Sequence, residues 1–392
     1  MLLENNQNKR ATRAIIHLEN ISHNLNCIKK LTGGDKKICV AVKADAYGHG
    51  AVEVSRKALQ WGVAFLAVAT VPEAIILREA KINAPIILFS LATDQEISQI
   101  VDFNITPFVA DIKYVQKINN EALSKNKKIN VHIKIDTGMG RIGVQPGRAA
   151  ELAEKIENLS NLKLEGVCTH FPVSDSPDPE DIKYTKNQIR IFIETVDSIK
   201  ESGVNPGICH IANSGGIIAH KDSHFDMVRP GICLYGYYPD QRMDKSIADF
   251  KPVMEFISKI CFIKKVKKGT TISYGRTWTA QQDTCIGSIP VGYADGYNRL
   301  LSSKGKVLIN GKSYPIAGRV CMDQFMVDLG PETDIKLFDD VVLFGPVEEA
   351  LDAADMGEII GTIPYEVTCN INKRVPRDYV DSTLFRPFVL AL

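Results

Sequence analysis

Along the first part of the chain, apolar runs of four or five residues alternate with longer stretches in which apolar positions recur every three or four residues. The runs are 38–42, 64–68, 86–89, 105–109, 131–135, 164–168, 208–212 and 226–229. Short continuous apolar runs suit strands buried on both faces. Between them, 72–80, 111–123, 147–159 and 181–201 carry the helical period. Strand and helix in alternation predict a parallel sheet, and eight such units predict a (β/α)8 barrel of the TIM type. Ahead of these units, residues up to Lys9 read as a loose tail and 14–18 as a strand. Ile21, Leu25, Ile28 and Leu31 then mark a helix ended by Gly33-Gly34.

The pattern changes after Tyr235-Gly236-Tyr237-Tyr238-Pro239 and the polar stretch that follows it. Segments 255–266, 284–291, 306–309, 325–328 and 341–344 read as strands, and Asn310-Gly311 is a hairpin signal. The expected class is therefore α/β, with a barrel over residues 10–245 and a C-terminal mostly-β domain over 246–392.

In barrels of this kind the C-terminal strand ends share one mouth. Lys43 follows the first run, and Asp136-Thr137-Gly138-Met139-Gly140-Arg141 the fifth. Thr169-His170 follows the sixth, Asn213-Ser214-Gly215-Gly216 the seventh, and Arg229-Pro230-Gly231-Ile232 the eighth. An amine at the end of an apolar strand is partly desolvated, which lowers its pKa and suits it to Schiff-base chemistry. Taken alone, Lys43 is equally well a surface lysine on a βα loop. The convergence of the other strand ends favours the chemical reading.

Composition narrows the classes. With 45% hydrophobic and 24% charged residues the chain has ordinary globular content, and a formal net charge of +1 implies no polyelectrolyte partner. There is no basic stripe with interleaved aromatics, so no nucleic acid is expected. The N-terminus lacks an apolar segment of the secretory kind, and no run is long enough to span a bilayer. Nine scattered cysteines without a C-x-x-C pair point to a reduced, cytoplasmic protein. The eight histidines lack metal-ligand spacing, so no metal is expected.

The motif set, taken in order, resembles the bacterial alanine racemase family. Its pieces are Val42-Lys43-Ala44-Asp45-Ala46-Tyr47-Gly48-His49-Gly50, Lys134-Ile135-Asp136-Thr137-Gly138-Met139-Gly140-Arg141, Ile211-Ala212-Asn213-Ser214 and Val228-Arg229-Pro230-Gly231. In the second domain they are Ser273-Tyr274-Gly275-Arg276-Thr277, Val291-Gly292-Tyr293-Ala294-Asp295-Gly296, Gly318-Arg319-Val320-Cys321-Met322-Asp323-Gln324 and Pro364-Tyr365-Glu366-Val367. The resemblance implies a pyridoxal 5′-phosphate (PLP) enzyme that interconverts L- and D-alanine for peptidoglycan. It also implies a head-to-tail homodimer whose active sites each join one barrel to the partner's β domain.

Carried over residue by residue, Lys43 matches the cofactor-binding lysine and one acid/base, and Tyr274 matches the base on the opposite face. His170 matches a link between Tyr274 and Arg229, and Arg229 the partner of the pyridine nitrogen. For the phosphate the resemblance implies Tyr47, Asn213, Ser214, Gly231, Ile232 and Tyr365. For the substrate it implies Arg141, Met322, Asp323 and Tyr293. Lys134 matches a lysine often carbamylated in the family, and an anion there could hold Arg141. After His170-Phe171 the chain departs from the family pattern, reading Pro172-Val173-Ser174-Asp175-Ser176-Pro177-Asp178-Pro179. Two rival readings are a serine or broad-spectrum amino-acid racemase and a non-catalytic PLP-binding protein. A pocket rejects an added hydroxyl only weakly. The second domain, with Tyr274 and Met322, argues against the non-catalytic reading.

Overall fold

The computed structural model describes residues 10–381; the tail expected up to Lys9 lies outside them. Strand β1 (Arg13–His17) is followed by eight parallel strands: β2 (Lys37–Ala41), β3 (Phe65–Val68), β4 (Ile86–Leu88), β5 (Thr106–Val109), β6 (Ile129–Lys134), β7 (Leu162–Cys168), β8 (Ile208–His210) and β9 (Met227–Val228). The order β8-β7-β6-β5-β4-β3-β2-β9 is that of a barrel opened out. Asp226 N–H donates to the Cys209 carbonyl (3.1 Å) and Arg229 N–H to that of Ala212 (2.9 Å), which draws the two ends together.

The eight expected runs are these eight strands. Their apolar continuity has a physical reason: one face meets the helices, and the other meets a packed interior of Cys39, Phe65, Ala67, Ile87, Phe108, Cys168 and Met227. The expected helices form as Val71–Glu79, Ile112–Ser124, Ala149–Glu157 and Pro179–Glu201, and the earlier one as Leu18–Leu31. Asp111 and Asp178 cap two of them by accepting from Tyr114 and Glu180 N–H.

The rest of the chain builds the β domain from β10 (Met254–Lys259), β11 (Phe262–Val266), β12 (Thr271–Ile272), β13 (Trp278–Thr279) and β14 (Thr284–Ile289). It continues with β15 (Lys306–Ile309), β16 (Lys312–Pro315), β17 (Phe325–Gly330), β18 (Asp340–Phe344) and β19 (Arg377–Val380). One sheet runs β16-β15-β18-β10-β1-β19, a second β11-β14-β17, and β12 pairs with β13. The stretch 255–266, read from the sequence as one strand, is two strands in different sheets, because the chain turns a corner at the buried Ile260. Strand β1 lies antiparallel to β10 and parallel to β19, so residues 14–17 are tied to 377–380. The Asn310-Gly311 turn joins β15 to β16 with Ile309 opposite Lys312. Its φ values of 49° and 74° are those of the left-handed turn that matches strand twist. The helix Pro364–Cys369 carries Tyr365 back to the barrel mouth.

Candidate active site

After β2 the backbone does something no helix signal predicts. Ala44, Asp45, Ala46 and Tyr47 have φ of 51°, 53°, 54° and 55°, one turn of left-handed helix with no glycine in it. Each such residue costs roughly 1–2 kcal/mol, so the turn must be held from outside. Glu73 accepts from Ala44 N–H (2.7 Å), Ala69 N–H (2.7 Å) and Thr70 N–H (3.2 Å). Asp45 accepts from Ala51 N–H (2.8 Å), and Arg377 Nε donates to the Gly48 carbonyl (3.1 Å). Gly48, at φ 84°, has no room for a Cβ against the Thr368 carbonyl. The turn lays the Tyr47 ring 4.7 Å from Tyr235 and 5.8 Å from Tyr365, and leaves Lys43 facing the barrel mouth. Burial, followed by the charge of Arg141, lowers the Lys43 pKa.

The mouth holds a cavity of about 540 Å3. Lys43, Lys134, Arg141 and Arg229 all line it, with His170, Tyr47, Asn213, Ser214, Gly231 and Tyr365. Among the described residues no carboxylate does. Four basic groups gathered without an acid make a receptor for a multiply charged anion. Lys134, only 4% exposed, shows the strain of that crowding. Burial is the largest influence, and the guanidiniums of Arg229 and Arg141 add to it, bringing its pKa down to about 7. His170 is held neutral by burial and by the same cations.

Arg229 is fixed by its own donors. Nη1 donates to the His210 carbonyl (2.7 Å) and to His210 Nδ1 (2.8 Å). Nη2 donates to the carbonyls of Thr169 (2.8 Å) and Ile211 (3.1 Å), and to His170 Nδ1 (3.4 Å). A guanidinium only donates, so His170 Nδ1 accepts and its proton sits on Nε2. Nε–H of Arg229 has no acceptor among the described residues. Ser214 opens the short helix Ser214–Ala219. Its Oγ accepts from Gly231 N–H (3.0 Å) and Cys233 N–H (3.4 Å). With both lone pairs taken, the hydroxyl proton is left to donate into the cavity. Burial raises the pKa of Tyr47 and Tyr365, so both phenols stay protonated donors. Asn213 is occupied within the protein: its Oδ1 accepts from Gly216 N–H (3.0 Å) and Ser174 Oγ (2.7 Å). Ser174, in the loop after β7, thus buttresses this wall. Asp136 points its carboxylate into its own loop, accepting from Gly138 and Gly140 N–H.

The remaining expected site residues lie elsewhere. Ile232, fully buried just past Gly231, does not line the cavity; Tyr274, Tyr293, Met322 and Asp323 belong to the β domain, and none of them lines it either. Tyr293 N–H donates to the Cys321 carbonyl and Ala294 N–H to that of Met322, clipping two loops together. Arg374 bridges Asp323 (2.8 Å) to the buried Asp295 (2.7 Å), which also pairs with Arg10 (2.6 Å). Tyr274 stands 73% exposed on a turn where Ser273 and Arg276 have φ of 69° and 51°. Sequence reasoning missed Glu73, Ser174, Asp295 and Arg374. Thr70-x-x-Glu73 is legible as a capping box, and the structure forms it, but nothing in that motif points to Lys43.

Comparison with known proteins bears on both groups. The model of the alanine racemase N-terminal domain matches residues 16–239, and that of the C-terminal domain 253–379. A protein of Treponema denticola named alanine racemase is 49% identical over 379 residues, covering 96% of this chain and 100% of its own. A solved alanine racemase of Clostridium difficile 630 superposes with a TM-score of 0.90 at 40% identity, over 96% of this chain and 97% of the other. One from Bacillus anthracis with bound L-Ala-P gives a TM-score of 0.88 at 34% identity, over 95% and 96%.

Proposed function

The chain belongs to the alanine racemase family, and from that premise we propose that it interconverts L- and D-alanine with PLP, by two acid/bases on opposite faces of the substrate. The observation that carries this reading is the cavity with four basic residues, a desolvated lysine and no carboxylate. PLP brings a phosphate and the substrate a carboxylate, which suits such a receptor. The residues present fit the cofactor. Lys43 would hold it covalently. Ser214, Tyr47 and Tyr365 would supply hydroxyl donors for the phosphate and Ile232 a main-chain N–H, while Asn213 and Gly231, whose N–H is taken by Ser214 Oγ, shape that wall. Arg229 Nε–H, which no described residue accepts, would be the donor to the ring nitrogen.

When bound, the cofactor supplies the electron sink for loss of the α-proton. The protein's part is to place two proton carriers. Lys43, its pKa lowered, takes or returns the proton on one face. Tyr274 of a second copy does so on the other. His170, with its proton on Nε2, donates toward that phenol and favours its ionised form. Arg229 cannot accept a proton, so beside the ring nitrogen it would keep that atom unprotonated and favour return of the proton to the α-carbon. Arg141 holds the substrate carboxylate, with the Met322 N–H, Asp323 and Tyr293 of the second copy closing the site. In this division of labour residues 10–245, joined by Tyr365 of the same chain, bind the cofactor, and the rest of 246–392 completes the partner's site. Lys134, with a pKa near 7, has the neutral amine that adds to carbon dioxide. Its nitrogen forms a bond to the carbon and releases a proton, leaving an anion beside Arg141. We place the enzyme in the cytoplasm, supplying D-alanine for peptidoglycan. No helix among the described residues is long and apolar enough to cross a membrane.

The test uses the purified protein with PLP. Borohydride reduction should fix the cofactor on the peptide containing Lys43, and L-alanine in deuterated water should exchange its α-proton as D-alanine appears. Exchange without racemisation, or cofactor fixed on another lysine, would contradict the assignment. Relative kcat/KM on L-alanine, L-serine and L-lysine sets the substrate range.

A further inference from the structure

Below Arg229, the barrel interior holds three polar groups that the mechanism above does not use: His210, His132 and Glu165. Arg229 Nη1 donates to His210 Nδ1 at 2.8 Å. Since the guanidinium has only donors, Nδ1 accepts and the His210 proton sits on Nε2. That atom lies 2.8 Å from His132 Nδ1, which accepts in turn. The His132 proton is therefore on Nε2, donating to Glu165 Oε2 at 3.2 Å. Asn130 Nδ2 holds the other carboxylate oxygen at 2.6 Å. The chain of bonds works in one sense only. A second proton on either imidazole would set donor against donor.

The backbone is built around this chain. The pairing of β6 with β7 slips between Val131 and His132, so Val131 faces Leu164 while His132 faces Gly166, and Glu165 is the extra residue of the bulge. Bulges re-aim side chains in this way. A Cβ on Gly166 would lie 2.7 Å from both Cε1 and Nδ1 of His132, so only glycine leaves room for the imidazole. Both histidines are fully buried, while the Glu165 side chain keeps 17% of its surface exposed. Burial is the first cause that lowers the pKa of both His210 and His132, which agrees with two neutral rings.

We propose that Glu165 is a positioning residue: as the acceptor of the His132 Nε2 proton that the donation from Arg229 dictates, it ends the chain, holds the two imidazole rings in place, and through them sets the angle at which Arg229 presents Nε–H to the cofactor. The last step rests on the reading of Arg229 given above; the tautomers do not. Three carbonyls also hold the guanidinium, so loss of Glu165 turns Arg229 rather than freeing it.

Nitrogen NMR of the holoenzyme labelled with 15N-histidine should show His132 and His210 neutral and protonated on Nε2. A proton on Nδ1 of either would overturn the proposal whatever the enzyme's activity. Glu165→Leu removes the acceptor, and Glu165→Gln keeps one oxygen while losing the charge. In the leucine variant His132 keeps its proton on Nε2 but loses the acceptor, so we expect its Nε2 resonance to move to that of a nitrogen whose proton is not hydrogen-bonded, the bound-cofactor absorbance to change, and kcat to fall about tenfold. KM for alanine should stay within about twofold, because Arg229 does not hold the substrate. Glu165→Gln should restore the hydrogen-bonded Nε2 resonance and most of kcat. An unchanged spectrum and kcat in Glu165→Leu would sink the idea. Should that variant fail to fold, loss of the hydrogen-bonded Nε2 resonance in Glu165→Gln would do the same.

Discussion

Replacing Glu73 by alanine removes the one side chain that holds the backbone immediately after Lys43. Its carboxylate takes Ala44 N–H and Ala69 N–H at 2.7 Å each, and Thr70 N–H at 3.2 Å. Hydrogen bonds to a charged acceptor contribute roughly 1.5–3 kcal/mol each. Glu73 is half-buried, so water replaces part of that, and a total loss of about 2–3 kcal/mol is the working figure. The left-handed turn that Glu73 restrains costs about 4–8 kcal/mol over its four residues. The substitution therefore weakens the turn without removing its other supports, Asp45 on Ala51 and Arg377 on Gly48. The enzyme should still fold. A shift of about 1 Å in a reacting group can reduce the rate by about 100-fold, so kcat should fall between about 10- and 100-fold. Urea denaturation and steady-state racemisation of Glu73→Ala measure the two effects. Glu73→Gln keeps one acceptor oxygen and should fall between parent and alanine variant. Adding Ala44→Gly to Glu73→Ala should recover about 1 kcal/mol of stability, because glycine accepts a φ of 51° without penalty. Equal denaturation midpoints and equal kcat for Glu73→Ala and the parent would refute the claim that this contact holds the turn.

Other outcomes follow from single residues. Burial alone would raise the pKa of Asp295, but hydrogen bonds from Arg10, Arg374 and Gly292 N–H outweigh it and hold the group below its ordinary value. A depressed carboxylate stabilises the fold fully above its unfolded pKa of about 3.9 and loses that contribution as pH falls through the folded value. The parent should thus lose stability on acidification faster than Asp295→Asn, and parallel curves between about pH 5 and 3 would exclude the carboxylate as the source. Gly48→Ala places a methyl against the Thr368 carbonyl at a φ of 84°, so it should weaken the fold by about 1–3 kcal/mol and lower cofactor affinity; an unperturbed melting curve would contradict the close approach. Lys134→Arg keeps a cation but cannot add carbon dioxide as the amine does. Carbon NMR of the native parent in 13C-bicarbonate should show a carbamate signal that the variant lacks, and a parent without that signal would reject the carbamate.

What the sequence revealed depended on how each residue was buried. The barrel strands were legible because both their faces are covered, which leaves runs without polar interruptions. Lys43, His170, Ser214 and Arg229 were legible as residues ending those runs, and they meet at one cavity. Strand β1 was visible as a strand, but nothing in five residues says which sheet receives it, and its partners lie more than two hundred positions away. The corner at Ile260 was hidden because no glycine or proline breaks the apolar pattern of 255–266. The left-handed turn was hidden for a stronger reason. Ala44, Asp45, Ala46 and Tyr47 have no intrinsic preference for it, and its support comes from Glu73, on the helix after β3. Glu165 was obscured because the bulge in β7 breaks the alternation by which inward residues are counted.

The central claim is that one site draws Lys43 from one chain and Tyr274 from another. Lys43→Ala and Tyr274→Phe should each be inactive while remaining folded. Mixed in equal amounts, unfolded and reassembled together, half the dimers should pair the two variants, and each such dimer has one intact site. Racemisation should therefore return to about a quarter of the parent rate per dimer. Recovery of that size is expected if the two groups act across the dimer; a mixture as inactive as its components, with mixed dimers demonstrated by mass, would show that they do not.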